Sequence, residues 1–134
     1  KVGVIGAGTM GGGISMNFAN VGIPVKILEM DQAALDKGLG IVKKNYEASA
    51  WKGRISSEDV DVRMGLIEGT TNYSDLKDVD LVIEAVFENM DVKKEVFMKL
   101  NQICRQDCIL ASNTSYLNVN EICWVAFAIS LQQI

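Results

Sequence analysis

The sequence predicts a doubly wound α/β fold built on a mainly parallel sheet. Residues 1–29 run apolar strand, glycine-rich turn, helix, strand, which is a βαβ unit. Further on, Asp80–Val86 and Cys108–Ala111 are strand-length apolar runs separated by a helical pattern. The 134 residues, 49% hydrophobic and 22% charged, suit one domain with a real core and do not suit a disordered chain.

In chain order, Lys1 to Ile5 is a short apolar run halted by glycine, and reads as a buried strand. Ile14 to Val21 reads as a helix with Ile14, Phe18 and Val21 on one face, and Gly22 stands where a C-cap belongs. Pro24 precedes a second strand, Val25 to Glu29. Asp31 is placed to cap a helix, and Leu35, Leu39, Val42 and Tyr46 follow at helical spacing. Lys52-Gly53 breaks that pattern. Ser57-Glu58-Asp59 restarts a short helix ending near Gly65. This pair, residues 33–66, is too long for a minimal crossover and is expected to project from the sheet as an arm. Ile67 to Thr71 is a candidate short strand. Asp80 to Val86 carries the strongest strand pattern of the chain. Asp91 opens a further helix with Val92, Val96, Leu100 and Ile103 on its buried stripe, and Cys108 to Ala111 is expected as a fourth parallel strand. The residues from Cys123 to Ile134 carry no charge and read as a buried strand or helix, or as an apolar tail.

Composition narrows the chemistry. Thirteen Lys and Arg against seventeen Asp and Glu give a net charge of −4 with no basic block, so a nucleic-acid partner is not expected. No segment reaches the ~20 apolar residues of a membrane span. Histidine is absent, which removes Ser-His, Cys-His and His-metal arrangements from these residues. Cys104, Cys108 and Cys123 are an odd number with no second pair. They read as packed thiols in a reducing compartment, and no metal site is expected.

The motif that carries chemistry is Gly6-Ala-Gly8-Thr-Met-Gly11, a G-x-G-x-x-G. Gly6 allows the tight turn after the first strand. Gly8 lets a pyrophosphate approach the backbone, and Gly11 lets helix and strand pack closely. Thr9 and Met10, within the motif, are cofactor-binding candidates, because the N-terminus of the helix that follows faces the phosphates with its free N–H groups. Glu29 ends the second strand, close to the ~20-residue spacing at which an acid meets the adenosine ribose. Its carboxylate would accept from both ribose hydroxyls and repel a 2′-phosphate, so the spacing predicts NAD rather than NADP. Asp31 is the nearest competitor for the role. Strand, turn, helix and acid in this order form a Rossmann fingerprint.

Three segments resemble one family: Lys1-Val-Gly-Val-Ile-Gly-Ala-Gly-Thr-Met-Gly-Gly-Gly-Ile14, Asp80-Leu-Val-Ile-Glu-Ala-Val-Phe-Glu-Asn89 and Ile109-Leu-Ala-Ser-Asn-Thr-Ser115. Over residues 1–122 the chain resembles the NAD-binding domain of L-3-hydroxyacyl-CoA dehydrogenases, most closely the form found in multifunctional fatty-acid oxidation enzymes. The resemblance implies that Ala85, Glu88 and Lys93 line the ribose and nicotinamide side of the cofactor, with Asn113 beside the nicotinamide. It implies that Ser115 hydrogen-bonds the substrate's 3-oxygen. It also implies that the arm reaches over an acyl-CoA, where Lys52 and Arg54, with Lys43 and Lys44 nearby, meet CoA phosphates. A hydratase domain on the same parent chain and a homo-oligomer are further implied partners. The compartment would be the cytoplasm of a bacterium, or the mitochondrion or peroxisome of a eukaryote.

The sequence departs from the family after Ile122. There the family's Gly-x-His-Phe-Phe pattern, which carries its catalytic histidine, is replaced by the uncharged tail. The glutamate that orients this histidine and the helical dimerisation domain are missing as well. The sequence therefore predicts an NAD-binding domain of a β-oxidation dehydrogenase that is complete in its cofactor site and incomplete in catalysis. The competing expectation is an NAD-binding or interaction module with no chemistry of its own.

Overall fold

A computed structural model of the chain describes residues 1–124. Its elements alternate as β1 (Val2–Ile5), α1 (Thr9–Asn20), β2 (Val25–Leu28), α2 (Gln32–Trp51), α3 (Ser57–Leu66), β3 (Ile67–Thr70), a 3-10 turn at Tyr73–Leu76, β4 (Leu81–Glu84), α4 (Met90–Ile103) and β5 (Ile109–Ser112). Residues 119–124 are helical. The five strands form one parallel sheet in the order β3-β2-β1-β4-β5. Strand order reverses between β1 and β4, the position where open α/β sheets bind ligands beyond their carboxyl ends.

Register gives that edge its shape. Thr70, Leu28, Ile5, Glu84 and Ser112 pair across the sheet in one row and each ends its strand. The next residues continue the ladder. Glu29 N–H donates to the Thr70 carbonyl, Gly6 to Leu28, Ala85 to Ile5 and Asn113 to Glu84, at 2.8–3.1 Å. Four expected site residues thus stand in line at the sheet's carboxyl edge.

Alternation along the strands sends side chains to two faces. Val4 and Ile27 pack with Leu35, Val42, Tyr46 and Val60 of the helical pair on one face. Ile5 and Leu28 pack with Leu76, Val96 and Leu100 on the other. Both faces are covered, so the central strands β1 and β4 are apolar up to the carboxyl edge, where β4 ends in Glu84.

The sequence placed several details differently. Helix α1 starts at Thr9, inside the glycine motif, and buries Gly11, Gly12, Ser15 and Ala19. Ile14 and Phe18 are only partly buried, and Val21 is 72% exposed. The sheet lies so close that only small side chains fit beneath the helix. Gly22 does end α1: its N–H donates to Ala19 and that of Ile23 to Phe18, a Schellman closure with Gly22 at φ 82°. Asp31 caps α2 through Ala33 and Ala34 N–H, as expected. Helix α4 is capped by Asn89, which accepts from Val92 N–H, so it starts before Asp91. Its buried residues are Lys93, Val96, Phe97 and Leu100, while Val92 is 38% exposed. Ile67–Thr70 is a true edge strand, which makes Ile109–Ser112 the fifth strand rather than the fourth.

The helical pair is anchored at its base and extended at its tip. Tyr46, 2% exposed, donates its hydroxyl to the Met16 carbonyl and the Asn20 side chain of α1. Twenty residues make α2 about 30 Å long, against about 13 Å for a four-residue strand, so its far end outruns the sheet. Trp51 at that end is 92% exposed. Of the apolar tail, Cys123 and Trp124 are helical and exposed, and residues 125–134 lie outside the described residues.

Candidate functional site

The glycine turn is shaped by contacts that forbid a side chain at two of its three glycines. Gly6 sits at φ 103°, and a Cβ there would stand 2.7 Å from the Ala85 carbonyl oxygen. A Cβ on Gly11 would stand 1.8 Å from the Gly6 carbonyl oxygen. Gly8 is different: a Cβ there would meet nothing within 4 Å. It is the N-cap of α1 in extended conformation, and no side chain caps the helix. The first intrahelical bond is Gly12 N–H to the Gly8 carbonyl at 2.9 Å, so the amides of Thr9, Met10 and Gly11 precede the helix ladder. No acid lies in the first turn to repel an anion. Open space over Gly8, unpaired helix amides and a positive dipole end suit a pyrophosphate.

Glu29 bridges β2 to this turn. Its Oε2 accepts from Ala7 N–H at 3.2 Å, and its Oε1 accepts from Met30 N–H at 3.1 Å. The carboxylate is thereby held beside the glycine motif. Asp31, the competitor, spends its carboxylate on capping α2.

Across the switch point a second group gathers around β4 and β5. Ala85 backs onto Gly6. Glu88, on the loop after β4, accepts the Thr114 hydroxyl on Oε1 at 2.6 Å and Ser115 N–H on Oε2 at 2.8 Å. These two hydrogen bonds hold its carboxyl below the usual carboxylate range against the opposing effect of desolvation, with a lesser contribution from the Lys93 ammonium. Asn113 and Ser115 are exposed. Among the described residues the Ser115 hydroxyl makes no hydrogen bond.

The resemblance sets Lys93 along the ribose and nicotinamide side of the cofactor, but the structure buries its side chain behind Glu88. It is 1% exposed and donates to Glu84, itself 0% exposed, and stands 3.7 Å from Glu88. Glu84 escaped the sequence reading, although an acid closing the apolar run Leu81-Val-Ile-Glu was the available signal. Gly38 escaped it too: a Cβ there would lie 2.3 Å from the Ala7 carbonyl oxygen, so α2 rests directly on the glycine turn.

Lys52 and Arg54 do not join either group. Both are exposed at the turn between α2 and α3, and neither side chain has an ion pair or hydrogen bond among the described residues. Cys104 and Cys108 are free thiols. Burial pushes Cys104 up to about 12, with Cys108 adding to the rise, so it is a packed thiol and not a reactive one. Among the described residues no helix is long and apolar enough to cross a membrane.

A family model described as "3-hydroxyacyl-CoA dehydrogenase, NAD binding domain" matches residues 1–126. The chain belongs to this family. It is 44% identical over 122 residues to a 3-hydroxybutyryl-CoA dehydrogenase of Clostridioides difficile, covering 91% of this chain and 43% of that protein. It is 42% identical over 122 residues to a peroxisomal fatty acid beta-oxidation multifunctional protein of Arabidopsis thaliana, covering 91% of this chain and 17% of that one. Among solved structures it is similar to a (S)-3-hydroxybutyryl-CoA dehydrogenase of Ralstonia eutropha, with TM-score 0.89, 36% identity, and coverage of 92% of this chain and 44% of the other. The chain thus spans less than half the length of these relatives. The cofactor of this NAD-binding domain is NAD, and the open turn at Gly8 with Glu29 fixed on Ala7 fits that molecule.

Proposed function

We propose that the domain, residues 1–122, holds NAD along the carboxyl edge of its sheet and serves an oxidation of L-3-hydroxyacyl-CoA to 3-oxoacyl-CoA. The observation that carries the reading is Glu29, whose carboxylate is fixed on the glycine turn by Ala7 N–H. The amides of Thr9, Met10 and Gly11 bind the pyrophosphate, with Gly6 making the tight turn and Gly8 leaving the pyrophosphate room. Glu29 accepts from the adenosine ribose hydroxyls. Ala85, Glu88 and Asn113 lie where the nicotinamide half arrives, with Lys93 behind Glu88. Bound NAD supplies the hydride acceptor. The free hydroxyl of Ser115 holds the substrate's 3-oxygen, and Lys52 and Arg54 meet the phosphates of an acyl-CoA. A hydratase domain on the parent chain and a second copy of the chain are the proposed partners. The compartment is the cytoplasm of a bacterium, or the peroxisome or mitochondrion of a eukaryote.

Fluorescence titration with NADH and NADPH tests the reading. NADH binds more tightly, because a 2′-phosphate would meet the like charge of the Glu29 carboxylate. Equal affinity, or tighter NADPH, overturns the role of Glu29. A second reading, an NAD-binding module without chemistry, is favoured by one observation: the 134 residues contain no histidine to serve as base.

A further inference from the structure

Building on the NAD-binding reading, we propose that Glu84 is a positioning residue of the cofactor cleft: with Lys93 and Ser112 it clamps the loops after β4 and β5 into one unit that presents Glu88 and Ser115.

Glu84 is the last residue of β4 and 0% exposed. Its Oε2 accepts from Lys93 Nζ at 2.5 Å and from Val86 N–H at 2.9 Å, and its Oε1 accepts the Ser112 hydroxyl at 2.6 Å. Lys93 Nζ also faces the Val86 carbonyl at 3.4 Å and Glu88 Oε1 at 3.7 Å. Glu88 in turn holds Thr114 and Ser115 of the loop after β5. The chain of contacts therefore runs from the end of β5, through the end of β4 and the first turn of α4, and back to the loop after β5. Each loop is tied to the other twice, once through Ser112 and once through Glu88.

Stability alone is a poor reason for this arrangement. Burying a carboxylate and an ammonium together costs desolvation that a packed apolar pair of similar volume avoids. Neither charge offers surface to a ligand, Glu84 at 0% and Lys93 at 1% exposed, whereas the Glu88 side chain is 27% exposed and Asn113 and Ser115 are open. The buried pair acts on the cofactor through what it holds. It carries one negative and one positive charge, so the excess negative charge of the network rests on Glu88, at the surface of the cleft.

The test measures NADH affinity by fluorescence and thermal melting on the whole chain. The variants are Glu84→Gln, Lys93→Met, the double variant and Ser112→Ala. Each single charge change takes the nearest opposite charge from the other buried group and lowers both melting temperature and affinity. The double variant removes both charges together. It recovers most of the melting temperature, while NADH binding stays weaker by about tenfold, the size expected for losing a hydrogen bond to a charged group. A double variant that binds NADH as the parent does overturns the proposal, since the pair would then be structural only. Ser112→Ala tests the clamp without touching either charge. It is expected to weaken NADH several-fold and to speed hydrogen exchange at the Ser115 amide, and no change in either overturns the proposal. Failure of the parent chain to bind NADH is a separate result that strikes the cofactor reading beneath it.

Discussion

Gly8 and Gly11 lie three residues apart in one motif, yet a side chain would fail at each for a different reason. At Gly11 the obstacle is the protein, since a Cβ would overlap the Gly6 carbonyl oxygen at 1.8 Å. At Gly8 the space is open and the backbone extended, so the obstacle would be the proposed pyrophosphate. Gly8→Val is therefore expected to keep the parent's melting temperature and to lose NADH binding. Gly11→Val is expected to lose both. A Gly8→Val chain that still binds NADH would show that the pyrophosphate does not lie over this turn. These glycines were legible in the sequence because their spacing is itself the constraint. Glu29 was legible for the same reason, standing eighteen residues beyond Gly11 at a strand end. Lys93 was not. Its burial could not be read from the helix, because the groups that neutralise it, Glu84 and Glu88 with the Val86 carbonyl, come from β4 and the loop after it.

Helix α2 carries two glycines of opposite meaning. Gly38 faces the glycine turn, with Ala7 oxygen 2.3 Å from where its Cβ would be, whereas a Cβ on Gly40 meets nothing within 4 Å. Gly40→Ala is expected to stabilise the chain by about 0.5–1 kcal/mol, the usual helix gain. Gly38→Ala is expected to destabilise it by about 1–3 kcal/mol through overpacking. It should also weaken NADH, because α2 would be pushed away from Ala7 and the amide held by Glu29. Chemical denaturation of the two variants measures the difference, and equal shifts would mean that α2 does not bear on the turn. The helical pair was predictable as helices from the period of Leu35, Leu39, Val42 and Tyr46. Its seat on α1, through the Tyr46 hydroxyl, was not, because hydrogen bonds between elements leave no period in the sequence.

Among the described residues the proposed cofactor site brings up no group placed to act as a base. Removing the hydroxyl proton as the hydride leaves requires an acceptor, and a positioned base contributes about 10²–10⁴-fold. The Ser115 hydroxyl is too weak a base near neutral pH. Glu88 keeps both carboxylate oxygens on Thr114 and Ser115. The 134 residues are therefore expected to form NADH from 3-hydroxybutyryl-CoA at least about 100-fold more slowly than the full-length Clostridioides difficile relative does. Turnover within about tenfold of that enzyme would mean that another group takes the proton.

The parallel sheet, the glycine turn and the acid just after β2 could be read without coordinates. Each rests on local constraints: strand-length apolar runs, a backbone that only glycine permits, and a fixed spacing across one βαβ unit. The exact ends of elements shifted by a few residues, as at Thr9, where the glycine run proved to be the first turn of α1 rather than a loop before it. What required the tertiary structure was anything decided by the register of distant strands. Glu29, Gly6, Ala85 and Asn113 come from four separate segments and form one row only because β2, β1, β4 and β5 end level. The burial of Glu84 and Lys93 is of the same kind. A charge leaves water only when its partner is already in place, and here the partners meet where the end of β4 lies under the first turn of α4 beside β5.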